Sequence, residues 1–198
     1  MTRRRSSSKK SFPLPKIHVS GPMAIVCAVI LGIAHIGVEL YKDFFPILLA
    51  PKEMQVCFTP DQGCQSLLLR QINNAKKSIH VQAFSFTDPD VGDALLKAKM
   101  RGVNVQIILD QSNKTNKKSL NKMLNRHRIP IRIDAPQGIA HNKIMIIDKQ
   151  IVITGSYNFS SGAYKRNAEN LLVLHDATLA QQYLENWEIR WKKSREEK

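Results

Sequence analysis

Acidic residues are scarce in this chain: 16 Asp and Glu stand against 30 Lys and Arg, a formal charge of +14. The deficit holds on both sides of Pro51, so it is not the property of one tail, and it points to a polyanionic partner. Phosphates of nucleic acid and of a membrane surface meet that requirement equally, and charge alone does not choose between them. Cysteine is scarcer still, at three residues. Cys27 falls in an apolar run, and no clustered His or further Cys lies near Cys57 and Cys64 to complete four zinc ligands. In an oxidising compartment Cys57 and Cys64, in CFTPDQGC, have the choice of pairing or standing as unrelated thiols at a strand end and a helix start. An internal repeat is also missing. The apolar share of 43% argues against disorder throughout, and 198 residues suffice for one compact domain plus an extension.

The opening stretch MTRRRSSSKKSFPLPK carries six basic residues and no acid, and an apolar run follows from about Met23 to Leu40. That order is one of export or anchoring. MAIVCAVILGIAHIGVEL approaches the roughly 20 apolar residues that a membrane-crossing helix needs, although His35 and Glu39 weaken its distal end. The rival reading takes MAIVCAVIL as a signal-peptide core, with Gly32 and Ala34 near a cleavage site. Either way the basic side stays inside and the rest is delivered outside the cytoplasm, secreted, periplasmic or anchored. The expected organisation is a basic leader over 1–22, a signal core or transmembrane anchor over 23–41, a linker over 42–53 and a catalytic domain over 54–198.

From Met54 onward, short β-like runs alternate with helical patterns, which predicts an α/β domain. The strand candidates are MQVCF, SIHVQAF, VNVQIILD, IPIRID, KIMIID, QIVITG and NLLVLHD. In TDPDVGDALLKAKMRG, Asp88 suits an N-cap, Pro89 the first turn, Val91, Leu95 and Ala98 an apolar stripe, and Gly102 the end. Further helices are expected in DQGCQSLLLRQINNA and from Ala177 to Lys193, where Leu179, Tyr183, Leu184 and Trp187 recur at helical spacing. KIMIID and QIVITG adjoin through Asp148, Lys149 and Gln150, as in a hairpin.

The chemistry concentrates between His141 and Asn170. His141 and Lys143 stand two residues apart, so an extended strand projects them from one face, the imidazole free to attack and the ammonium to hold charge. Asp148 has the opposite parity and is expected to support structure. Ser156 and Asn158 share the two-residue spacing, and Gly155 removes a side chain where backbone or substrate must approach closely. Lysine, hydroxyl and amide donors together suit the non-bridging oxygens of a phosphoryl group and the charge that develops in displacement at phosphorus. Glu169 adds a carboxylate of the kind that fixes a catalytic imidazole's tautomer. No cofactor or metal is required by this set.

The pattern H-x-K-x-x-x-x-D followed by G-S-x-N resembles the HKD signature of the phospholipase D superfamily, and the resemblance extends from about Cys57 to Trp191, including AFSFTD. GIAHNK and KRNAEN are similar to the small bacterial single-motif members, among them secreted phospholipases and endonucleases. The resemblance implies a mixed β-sheet flanked by helices, a phospholipase D/nuclease-like fold preceded by an N-terminal hydrophobic helix. It implies that one histidine attacks phosphorus to give a phosphohistidine, that a second protonates the leaving oxygen, and that water then releases the product. Carried over residue by residue, His141 is nucleophile or acid, Lys143, Ser156 and Asn158 bind phosphate, and Glu169 partners His141.

A single HKD copy supplies one such histidine. A homodimer, with two His141 side chains meeting at a twofold axis, is the economical way to supply the second. His80, His127 and His175 are the alternatives within one chain, and their places in strand patterns or a basic loop argue against them. Phospholipid hydrolysis is the first expectation and non-specific endonuclease activity the second. A membrane-associated nucleic-acid-binding protein without turnover is the non-enzymatic alternative. Lys114, Lys117 and Lys118 either line a loop near the site or form a solvated face.

Overall fold

A computed structural model describes residues 53–60 and 62–197. The leader, the apolar run and all but the last residue of the linker lie outside the described residues. Eight strands form one sheet: β1 Met54–Phe58, β2 Ser78–Ala83, β3 Asn104–Asp110, β4 Ile131–Asp134, β5 Lys143–Ile147, β6 Ile151–Gly155, β7 Asn170–His175 and β8 Arg195–Glu196. Their order is β1-β7-β6-β5-β2-β3-β4-β8. β2, β3 and β4 run parallel, and every other neighbouring pair is antiparallel. The sheet is therefore mixed, its parallel part built by crossovers and its antiparallel part by hairpins.

β2 lies inside this order, and each of its six residues is buried, as a strand covered on both faces requires. Alternation along the strands sorts the core. Ile79, Val81, Ile107, Leu109, Met145, Ile147, Ile153, Leu171 and Val173 enter the larger cluster with residues of α1 Cys64–Asn74 and α2 Pro89–Met100. Ile108, Ile146 and Val152 face the other way, onto Ala180, Leu184 and Trp187 of the long helix Ala177–Lys193. Helices thus cover both faces.

Helix α2 starts where Asp88 accepts from the backbone N–H of Asp90, with Pro89 in the first turn, and Val91, Leu95 and Ala98 are fully buried. Two short helices complete the chain order, α3 Asn121–Arg126 and α4 Ser161–Lys165, so the long C-terminal helix is α5. A 3-10 turn occupies Gln111–Lys114. On α5 the Trp187 indole N–H donates to Val81 O at 2.9 Å, its ring stacks on Trp191, and Leu179 and Tyr183 are only partly buried. Among the described residues no helix is long and apolar enough to cross a membrane.

Candidate active site

His141 precedes β5, and its backbone is fixed on both sides. Ala140 N–H donates to Asp110 Oδ2 at 2.8 Å, and Phe84 N–H donates to Asn142 O at 2.8 Å. Asp110 is buried at the end of β3. Burial works to raise its pKa, but hydrogen bonds from Ser112, Ala140 and Gln111 outweigh that and hold the carboxyl below the ordinary aspartate value. The His141 ring is exposed and meets the Phe84 ring edge-on, centroids 4.6 Å apart.

Lys143 opens β5 and is buried, with only 7% of its surface exposed. Its ammonium donates to His141 O at 2.9 Å and lies 5.0 Å from the centre of the same Phe84 ring. Burial pushes the ammonium below the ordinary lysine value, while the negative charge of Glu169 opposes that shift. Phe84 therefore touches both residues of the His-x-Lys pair. A desolvated cation beside an exposed imidazole suits a phosphoryl group, whose charge is stabilised most where water is excluded.

β6 ends at Gly155, so Ser156 and Asn158 stand on the loop beyond it rather than in the strand. Alternation persists there. Ser156 is exposed and Asn158 half-buried, while Tyr157 and Phe159 fill the core. Gly155 has φ 142°, and a Cβ at this position would sit 2.3 Å from Asn170 O, so the close approach of β7 demands glycine. Asn170 fixes Ser156 in turn, donating to its Oγ from the backbone N–H at 3.0 Å and from the side-chain amide at 3.4 Å. The Asn158 Oδ1 and Tyr157 hydroxyl are buried without a hydrogen-bond partner. Burial first, then the nearby Asp88, Tyr164 and Glu169, drives the Tyr157 pKa up.

The Glu169 carboxylate accepts from Asn167 Nδ2 at 2.9 Å, and no hydrogen bond joins it to the His141 ring. Its backbone is tied to Thr59, whose Oγ1 accepts from Glu169 N–H at 3.0 Å. Asp148 points elsewhere. Its carboxylate accepts the backbone N–H groups of Lys76, Lys77 and Ser78 at 2.8, 2.6 and 2.9 Å. Cys57 and Cys64 are joined in a disulfide, their Cα atoms 5.6 Å apart.

An open cleft of about 410 Å³ borders His141 and Asn142, with Gln82, Pro136, Ile139 and the Asp134–Arg190 ion pair around it. The other histidines are placed differently. His80 is buried in β2 with its ring edge against Trp187, His127 caps α3 in solvent, and His175 ends β7 beside Ile151. Lys114, Lys117 and Lys118 are exposed on a segment that Asn113 pins to Phe84 O at 2.7 Å. No group of three or more His, Cys, Asp or Glu side chains gathers around a metal-sized space among the described residues.

Phe84, Asp110, Thr59 and Asn170 are the supports that inspection of the motif alone does not find. Each lies outside H-x-K-x-x-x-x-D and G-S-x-N. Asn170, next to Glu169 in KRNAEN, and Phe84, in AFSFTD, stand in segments that carry the resemblance.

This arrangement, on a mixed α/β sheet, suits phosphoryl transfer. Residues 68–191 match the family described as "Cardiolipin synthase, PLD-like domain", so this chain belongs to the PLD-like family and is a phosphodiesterase of the phospholipase D superfamily. It is similar to the phospholipase D of Rickettsia felis, 47% identical over 139 residues that cover 70% of each chain. It also resembles the phospholipase D of Rickettsia bellii, at 44% over 82% of this chain and 91% of the relative. Among solved structures, Nuc from Salmonella typhimurium, a phospholipase D family member, superposes with a TM-score of 0.71 at 38% identity, covering 74% of this chain and 99% of Nuc.

Proposed function

We propose that this protein hydrolyses phospholipid head groups in the manner of a phospholipase D, through a phosphohistidine formed on His141. The observation that carries the reading is the likeness to phospholipase D of Rickettsia felis, 47% identical over 139 residues. The exposed imidazole beside the buried Lys143 ammonium suits the chemistry. His141 attacks phosphorus, and the bond to the head-group oxygen breaks. The partner subunit's His141 gives that oxygen a proton, then takes one from the water that cleaves the phosphorus–nitrogen bond. Lys143, Ser156 and Asn158 hold the non-bridging oxygens, and Glu169 supports the charged ring. One motif per chain supports a homodimer with a site shared across its axis.

The Cys57–Cys64 disulfide supports delivery to an oxidising compartment outside the cytoplasm, and the apolar run over 23–41 supports contact with a membrane on the way or at rest. The exposed Ile139 beside His141 suits a lipid at the cleft.

A second reading, endonuclease activity, is favoured by the likeness to Nuc and by the +14 charge. The test offers purified protein labelled phosphatidylcholine vesicles, single-stranded DNA and double-stranded DNA, with His141→Ala as control. Lipid turnover should fall by roughly 10³-fold or more in the variant. DNA cleavage lost in the variant, with no lipid turnover by the wild type, would replace the first reading by the second.

A further inference from the structure

The loop between Cys57 and Cys64 is closed by their disulfide, and Thr59 is its buried residue among those described, with 7% of its surface exposed. Within the loop, Gln62 N–H donates to Phe58 O, and Phe58 N–H to the Gln62 side chain, each at 3.1 Å. Phe58 pairs with Asn170 as the last residue of β1, and Thr59 carries the reach across the fold one residue further. Its N–H donates to Glu169 O at 3.0 Å, and its hydroxyl donates to Asn167 O at 2.8 Å while accepting from Glu169 N–H at 3.0 Å. Asn167, held in this way, gives its side-chain amide to the Glu169 carboxylate at 2.9 Å. Both backbone polar groups of Glu169 are therefore satisfied by one residue, and the carboxylate is held by a neighbour that the same hydroxyl fixes.

We propose that Thr59 is the positioning residue for Glu169, and that the Cys57–Cys64 disulfide sets turnover by holding Thr59 in register with residues 167–169. Opening the disulfide removes the cross-link between β1 and the first helix and restores conformational freedom to the loop, which the three hydrogen bonds and the β1–β7 pairing must then overcome without it. Misplacement of a supporting group by a fraction of an ångström is enough to lower turnover without weakening the binding of substrate. Both cysteines are buried in the core, 5% and 1% exposed, so the bond is fixed when the chain folds and is shielded from thiols afterwards. The inference rests on Glu169 acting in the site, as proposed above.

The test compares Thr59→Val, Thr59→Ser, Cys57→Ala/Cys64→Ala and Glu169→Gln, each assayed with the substrate on which the wild-type chain turns over, at a temperature where circular dichroism shows it folded. Thr59→Val and the double cysteine variant should lose roughly tenfold or more in kcat with KM within about twofold, and Thr59→Ser should recover most of the rate. Combining Thr59→Val with the cysteine changes should add little further loss, because both act through one contact. Wild-type kcat in Thr59→Val and in the cysteine variant, alongside a fall in Glu169→Gln, overturns the proposal and leaves the site reading intact. Wild-type kcat in Glu169→Gln overturns the site reading itself. Should Thr59→Val fail to fold, the cysteine variant decides alone by the same criterion.

Discussion

Asp148 completes the signature H-x-K-x-x-x-x-D and yet its carboxylate is taken up by the backbone. It receives three backbone N–H groups at the start of β2, and it adopts φ 55°, a left-handed conformation that Asp tolerates better than most residues. Burial acts to raise its pKa, but the N–H groups of Ser78, Lys76 and Lys77 and the Lys77 charge outweigh it, leaving the carboxyl below its ordinary 3.8. A depressed folded-state pKa contributes stability that is complete above the unfolded value and disappears as pH falls through the folded one. Asp148→Asn keeps the shape and one acceptor oxygen but loses the charge. It should cost about 1–2 kcal/mol at neutral pH, and the gap to wild type should close as the pH drops below 3.8. Urea unfolding at pH 7 and pH 3 checks this; a gap of constant size would assign the loss to shape instead of charge.

At the scale of elements, the β6–β7 pair carries Ser156 and Glu169 from opposite sides of one close approach. Gly155→Ala places a methyl against Asn170 O and should force the strands apart beside Ser156 and Asn158, the proposed phosphate ligands. We expect a loss of about 3 kcal/mol in stability and of roughly 10²-fold in kcat; a melting curve and a rate within error of wild type would refute the close packing. The seven strands of the alternating pattern were legible because β-branched runs such as KIMII and IVITG have few other uses, and α5 because its stripe spans five turns. β8 at two residues and α3 and α4 at six and five were not. Segments that short have no period, and the turn after β3 is fixed instead by Asp110 accepting from Ser112 and by the buried Asn113 reaching Phe84. His141 and Lys143 were legible for the opposite reason: two residues apart on one strand, their relation is local. The supports Phe84 and Thr59 are remote in sequence: AFSFTD and CFTPDQGC stand out for a family resemblance and for cysteine spacing, but neither segment shows by itself that it touches the site.

For the whole molecule, one signature histidine per chain sets an arithmetic. If the site needs His141 from two copies, equimolar mixing of wild type with His141→Ala after subunit exchange leaves roughly a quarter of the dimers with both histidines. Activity per wild-type chain should then fall to about one half, and total activity at constant protein should follow the square of the wild-type fraction across a titration. A linear dependence would mean that each chain acts alone, with a proton donor of its own. The net charge of +14 belongs to the same scale, since it attracts an anionic surface or polymer before any particular phosphate is selected.

The pairing of β1 with β7 also dictates an order of assembly. Met54 pairs with Leu174, and the Thr59–Glu169 bond spans 110 residues of sequence. His141, Lys143 and Ser156 sit on a hairpin, and Glu169 leads into the strand that pairs beside it, whereas Thr59 engages both backbone polar groups of Glu169 only once the first strand has returned to the sheet. An emerging or unfolded chain therefore displays the entire signature as a string of letters while possessing no site. Competence arrives when the two distant ends of the domain meet.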